Sequence, residues 1–152
     1  MGKCKYCGLD AGFFRSKHDE CEQKYNQGLS AIKQIISNCF ITKEDFYLKD
    51  RDIKLIAQDS HIDVPSLNKE YISEFDNAID RYLDDGIIDS EEERTVARFI
   101  QYTGLSQPEL NSNKSLEKVL QSKVLQDILS GNVPAPRITI AGDFPFMLGK
   151  AE

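Results

Sequence analysis

From residue 18 onward, apolar positions fall three and four residues apart for most of the chain, the period of helices that bury one face. The first run passes through Tyr25, Leu29, Ile32, Ile35 and Ile36 to Cys39 and predicts a long helix that starts at His18, with Gly28 as its weak point. Thr42, with Asp45 three residues later, reads as the N-cap of a second helix carrying Phe46, Ile53, Ile56 and Ala57, which Asp63-Val64-Pro65 breaks. The clearest period is Tyr71, Ile72, Phe75, Ala78, Ile79, Tyr82 and Leu83, a third helix that Asp84-Asp85-Gly86 ends. Ser90 and Glu93 then form a capping-box pattern for a fourth helix with Val96, Phe99 and Ile100, closed by Gly104. Ser106 and Glu109 repeat that pattern ahead of a last stripe, Leu116, Val119, Leu120, Val124, Ile128 and Leu129, ending at Gly131.

Beyond residue 131 the pattern changes. Two prolines interrupt it, and Ile138-Thr139-Ile140 followed by Phe144, Phe146, Met147 and Leu148 reads as extended and apolar. An apolar end rarely stays exposed. The reading is therefore the entry into a further, mostly β domain of a longer protein, or a strand that docks on the helices or on another copy.

Composition sets the scale of this plan and charge divides it. Aromatic residues make up 9% of the 152 positions with no Trp, enough for one modest core. Residues 1–43 hold seven Lys and Arg against four Asp and Glu, a net +3, whereas the remainder holds twelve against twenty-one, a net −9. So acidic a body disfavours nonspecific contact with a phosphate backbone. No apolar run is long enough to predict a membrane span.

The chemistry gathers at the start of the chain. Cys4, Cys7, His18 and Cys21 follow the order C-x2-C, a ten-residue span, then H-x2-C. Three thiols and an imidazole in two close pairs match the closed tetrahedral sites that hold structural Zn²⁺. Gly8 after the first pair suits the tight knuckle that turns both sulfurs to one ion, and His18 and Cys21 would share one face of a helix. A disulfide framework would need an oxidising compartment, and no apolar signal segment stands between Met1 and Cys4. A thioredoxin-like pair would need a strand–helix setting that the surrounding residues do not offer. His18-x-Glu20 carries the H-x-E of zinc deaminases, but the order of motifs is reversed and Cys21 fills the position that catalytic water would need. Cys39, between Asn38 and Phe40, reads as a buried thiol.

The acidic turn between the third and fourth helices can be compared with a calcium loop. With Gly86 at the sixth loop position, Ile88 and Glu92 fall where an EF-hand needs them, but Arg81 and Leu83 replace the first two oxygen donors. The turn reads instead as a helix corner whose carboxylates suit a helix N-terminus. His61, between Asp59 and Asp63, reads as a surface residue at a helix end.

Two segments carry a family likeness. Ala78 to Glu93, with its acidic Asp84-Asp85-Gly86 turn and Ser90 restart, followed by Phe99-Ile100 and Gly104-Leu105-Ser106, resembles the tellurite-resistance-B-like all-helical domain. The likeness covers residues 30–130 and implies a helical bundle of the kind associated with stress response and phage defence. It also implies that Asp84, Asp85 and Glu92 are candidates for binding a metal cation. Separately, Cys4-Lys5-Tyr6-Cys7-Gly8 resembles small bacterial zinc ribbons of the C-x-Y-C-G type, which mark auxiliary modules.

The expected protein is mainly α: a zinc ribbon or knuckle over residues 1–28, a tellurite-resistance-B-like helical bundle over 29–131, and an extended tail over 132–152. Its expected role is a non-enzymatic, cytoplasmic binding or scaffold module of a bacterial protein, with structural Zn²⁺ on Cys4, Cys7, His18 and Cys21. The expected partner is a protein, with self-association through the tail. The alternative is a nucleic-acid binder that uses Lys3, Lys5, Tyr6, Phe13, Phe14, Arg15 and Lys17 as basic and stacking contacts. A hydrolase built on the acidic corner with a metal is the more distant reading.

Overall fold

The computed structural model describes residues 2–130, and the expected extended tail lies outside them. The protein is mainly α. A two-residue strand β1, Gly2–Lys3, pairs antiparallel with β2, Asp10–Gly12. Six helices follow among the described residues: α1 Asp19–Thr42, α2 Asp50–Asp59, α3 Val64–Tyr82, α4 Ser90–Thr103, α5 Gln107–Leu110 and α6 Ser115–Ser130.

The helix α1 runs unbroken through Gly28, which is buried at a helix crossing. A Cβ there would lie 2.3 Å from Ser60 Oγ and 2.6 Å from Ser60 Cβ, so the missing side chain lets α1 and the end of α2 approach. The cost in helix propensity is thus offset by packing. Below it Ile32, Ile36, Cys39 and Phe40 face the core, Cys39 as expected, and α1 lies against α2 and α3.

Four phenylalanines form the centre. Phe40 and Phe99 have ring centroids 4.8 Å apart, Phe46 lies 5.0 Å from Phe40 and 5.2 Å from Phe99, and Phe75 stacks on Phe99 at 5.6 Å. All four are fully buried, along with Ile79, Val96, Leu110 and Val119. Because these come from α1, the 46–49 turn, α3, α4, α5 and α6, one core ties the bundle together. Leu116 and Val119 of the last stripe are buried and Leu120 packs partly against the core. The side chains of Val124, Ile128 and Leu129, and the expected stop at Gly131, lie outside the described residues.

Several boundaries differ from the pattern, each for a local reason. Thr42 is the last residue of α1 and its hydroxyl donates back to the Asn38 carbonyl, 2.8 Å away, so it is not an N-cap. Asp45 does the capping, accepting from Tyr47 N at 3.1 Å, but of a short 3₁₀ turn Phe46–Lys49 that leads into α2. Asp63 and Pro65 start α3 rather than merely stopping α2: the Asp63 carboxylate accepts from Ser66 N at 2.9 Å and Pro65 stands in the first turn, where no N–H is missed.

The capping box of α4 sits one residue earlier than Ser90 and Glu93. Asp89 Oδ1 accepts from Glu92 N at 2.8 Å and Glu92 Oε1 accepts from Asp89 N at 3.0 Å. A carboxylate caps as well as a hydroxyl and adds charge at the positive helix end, so Asp89 wins the position and Ser90 becomes helical. Glu93 is left to pair with Lys123 of α6 at 3.0 Å. The Ser106 and Glu109 box forms as expected, but it caps only α5, and α6 begins anew at Ser115.

Candidate metal centre

Residues 2–18 make a small knuckle whose backbone aims two thiols at one point. Cys4 N donates to the Leu9 carbonyl at 2.7 Å and Gly8 N to the Cys4 carbonyl at 2.8 Å, with Gly8 at φ 80°. The loop then returns along β2, and Lys5 N donates to the Ser16 carbonyl at 2.8 Å, which brings His18 beside Cys4. His18 is the N-cap of α1 in extended conformation, and its side chain makes no cap hydrogen bond. Its ring is turned to the cysteines instead. Cys21 follows in the first turn of α1, on the same side.

The ligand atoms of Cys4, Cys7, His18 and Cys21 all lie within 4.8 Å of one another. His18 Nδ1 lies 3.4 Å from Cys7 Sγ and 3.6 Å from Cys21 Sγ. Around a tetrahedral ion with bonds of about 2.3 Å to sulfur and about 2.0 Å to nitrogen, sulfur and nitrogen stand about 3.5 Å apart. The observed spacings bracket that value. The four residues together could hold one metal ion.

What surrounds these atoms favours such an ion. His18 Nε2 lies 2.8 Å from the Asp10 carbonyl, an acceptor that requires the proton on Nε2 and leaves the Nδ1 lone pair facing the three sulfurs. The same carbonyl holds the imidazole's pKa above its ordinary value and so makes it a more basic ligand. His18 N donates to Cys4 Sγ at 3.3 Å. Burial pushes the Cys4 thiol up, yet the neighbouring backbone N–H groups of Cys7, His18 and Tyr6 outweigh it and bring the pKa down to about 6. Cys21 goes the other way, up to about 11, through burial and the crowding of Cys7 and Cys4. Three sulfurs pressed together cannot all ionise unless a cation shares the space.

Several of the residues considered for nucleic-acid contact are already engaged within the molecule. Tyr6 packs on Tyr25 of α1 with ring centroids 4.9 Å apart, so one ring face is covered. Arg15 pairs with Asp19 at 3.0 Å and Lys17 with Glu22 at 2.5 Å. Lys3 and Lys5 are exposed on the knuckle, with Lys5 Nζ 5.2 Å from the Tyr6 ring centroid. Phe13 and Phe14 are exposed at the far end of β2.

The acidic corner is not drawn together into a site either. Asp85 Oδ1 accepts from Ile87 N at 3.1 Å, Glu92 is held in the capping box, and Asp84 is exposed on the 3₁₀ turn Leu83–Asp85. Among the described residues, the Cys4, Cys7, His18 and Cys21 group alone brings three or more such ligands together. The carboxylates serve the turn and the cap. His61 is exposed as read, and adopts a left-handed φ of 57° at the α2–α3 corner.

One feature of the centre escaped the sequence and a second was only half visible in it. The Asp10 carbonyl is a backbone group, invisible to residue type. The Tyr6–Tyr25 contact that seats the knuckle on α1 was partly legible, since Tyr25 stands four residues after Cys21 on the same helix face. Against family models, curated proteins and solved structures alike, the chain returns no match. No helix among the described residues is long and apolar enough to cross a membrane.

Proposed function

We propose that Cys4, Cys7, His18 and Cys21 hold one structural Zn²⁺, and that the chain is a non-enzymatic binding module in which this ribbon is fixed to the head of α1. The observation that carries the reading is the His18 ring, pinned through Nε2 to the Asp10 carbonyl with Nδ1 turned to three sulfurs. Four protein ligands leave no position for a reacting water, which argues for structure over catalysis. The bundle behind it is read as tellurite-resistance-B-like, on the Asp84-Asp85-Gly86 turn and the helix restart that follows.

A protein partner is favoured over nucleic acid. Arg15 and Lys17 already answer carboxylates of α1, Tyr6 is covered on one side, and the residues after 43 carry a net −9. If single strands were nonetheless bound with an affinity that collapses with salt and is lost in Lys5→Glu, Arg15→Glu, the ranking would reverse.

Elemental analysis tests the metal. One zinc per chain is expected, replaceable by Co²⁺ with the thiolate charge-transfer and tetrahedral ligand-field bands that three sulfurs and one nitrogen give, and lost in Cys4→Ser. Well under one metal per chain, with thermal stability indifferent to chelator, would overturn it.

A further inference from the structure

Asp10 is an exposed residue of β2, and by residue type alone it reads as a solvated carboxylate. Both its backbone and its side chain are nonetheless in use. The backbone carbonyl stands 2.8 Å from His18 Nε2, and the side-chain Oδ1 accepts from Gly12 N at 2.9 Å. That second bond is the local Asp-to-backbone contact that closes a turn over two residues. The ring it closes contains the Asp10–Ala11 peptide, so it fixes the direction in which the Asp10 carbonyl points.

The strand pairing shows why the peptide needs such a hold. Lys3 pairs with Asp10 and Gly2 with Gly12, so β2 takes two steps where β1 takes one, and Ala11 is the additional residue of a bulge. A bulge in a three-residue strand has little ladder around it to set its backbone. Gly12 follows at φ 104°, a conformation that favours glycine and that glycine alone does little to stiffen. The Asp10 carboxylate, bonded across the bulge to Gly12 N, supplies the missing constraint.

His18 depends on that carbonyl. It precedes the first helical residue at φ −90° and ψ 139°, and its side chain makes no capping bond. Among the described residues, the Asp10 carbonyl is the one hydrogen-bond partner of its ring other than the cysteines. An imidazole can ligate through either nitrogen, and the bond made by the other nitrogen decides which. We infer that the Asp10 carboxylate is a positioning residue of the metal centre. By holding the Asp10–Ala11 peptide it keeps the carbonyl on Nε2 and commits Nδ1 to the Cys4, Cys7 and Cys21 sulfurs. This rests on the zinc reading and adds to it the side chain that orients the nitrogen ligand.

Competition of the full chain with a chromophoric chelator measures its zinc affinity. Asp10→Ala should weaken it about tenfold, the lower end of what the outer contacts of a ligating imidazole contribute, because the Nε2 bond is exposed and water replaces part of it. Asp10→Asn, whose amide oxygen can accept from Gly12 N in the same way, should restore the affinity of the wild-type chain. A turn that merely held the knuckle together would give the same two results, so the deciding arm removes the imidazole. In a His18→Cys background, where thiolates alone hold the metal, Asp10→Ala should leave affinity unchanged. Nitrogen NMR of the His18 ring in the zinc-loaded chain gives a second readout that does not need that background to fold. The wild-type chain and Asp10→Asn should show one tautomer, with the proton on Nε2 and the metal on Nδ1, and Asp10→Ala should show that single state lost. An Asp10→Ala chain that keeps the wild-type ring spectrum, or that loses as much affinity in the His18→Cys background, would overturn the positioning role and leave the zinc reading standing. A wild-type chain that takes up no zinc would overturn both.

Discussion

Asp89 and Ser90 show how much a single position decides and how little residue type alone reveals it. Both are good N-caps, and Glu stands three residues after each, so the sequence admits two registers of one capping box. The geometry selects Asp89, extended at φ −77° and ψ 174°, with Ser90 already in the helix. Asp89→Ala should therefore lower stability by about 1 kcal/mol, whereas Ser90→Ala should leave it almost unchanged. Urea titration of the two variants distinguishes the registers, and equal losses would show that the box is shared. Gly28 is a second such residue. Its absent Cβ is legible only once Ser60 is known to lie across from it, because helix propensity marks every interior glycine as a weakness. Gly28→Ala, a gain in an isolated helix, should here cost roughly 1–3 kcal/mol through overpacking. Ser60→Gly in the same chain should recover part of that loss.

Helices were legible as elements wherever one face repeats, as in α1, α3 and α4, because burial of a stripe at helical spacing sets both the element and its orientation. Their ends were less legible. The start of α3 at Val64 precedes its apolar stripe by two turns and depends on the Asp63 cap, while α5 is too short to have a stripe. The N-terminal knuckle was legible through the Cys and His spacing alone, since β1 and β2 are two and three residues long and carry no alternation. That dependence has a consequence for how the elements come apart. The buried positions of α1 begin at Gly28 and continue through Ile32 and Ile36 to Phe40, whereas residues 2–18 meet α1 through Tyr6 on Tyr25, the surface ion pairs Arg15–Asp19 and Lys17–Glu22, and the Cys4, Cys7, His18 and Cys21 cluster. With Zn²⁺ held as proposed, its removal should therefore open the knuckle and fray the first turns of α1, while most of the helical signal stays. Hydrogen exchange in chelator should show residues 2–21 unprotected and the α1 amides from Ile32 onward still slow. Loss of protection throughout would mean that the knuckle nucleates the bundle.

At the scale of the molecule the sequence showed the segregation of charge but not how the carboxylates are used, because that depends on neighbours brought in from elsewhere in the chain. Four of them are held below the ordinary carboxylate range: Asp50 by the Tyr102 hydroxyl at 2.7 Å, Asp63 by Ser66, Glu109 by Ser106 and Glu117 by Asn111. Two are pushed up, Glu70 and Glu92, chiefly by burial and then by acidic neighbours. These groups act in opposite directions on stability. A depressed carboxylate contributes stability above its unfolded value, near pH 4, and loses it as pH falls through its folded value. A raised one contributes most below its unfolded value and loses that contribution as pH rises through the folded one. Acidification from neutrality should thus first stabilise the bundle, as Glu70 and Glu92 take up protons and the net −6 charge declines, and then destabilise it below about pH 4, as Asp50 and Asp63 lose their partners. Melting temperatures measured in chelator, so that no metal adds its own proton linkage, should pass through a maximum on the acid side of neutrality. In Glu70→Gln with Glu92→Gln the rise from neutrality to that maximum should flatten while the acid limb remains. A melting temperature that falls steadily from pH 7 downward in the wild-type chain would show that the hydrogen-bonded carboxylates outweigh the half-buried Glu70 and Glu92 across the whole range.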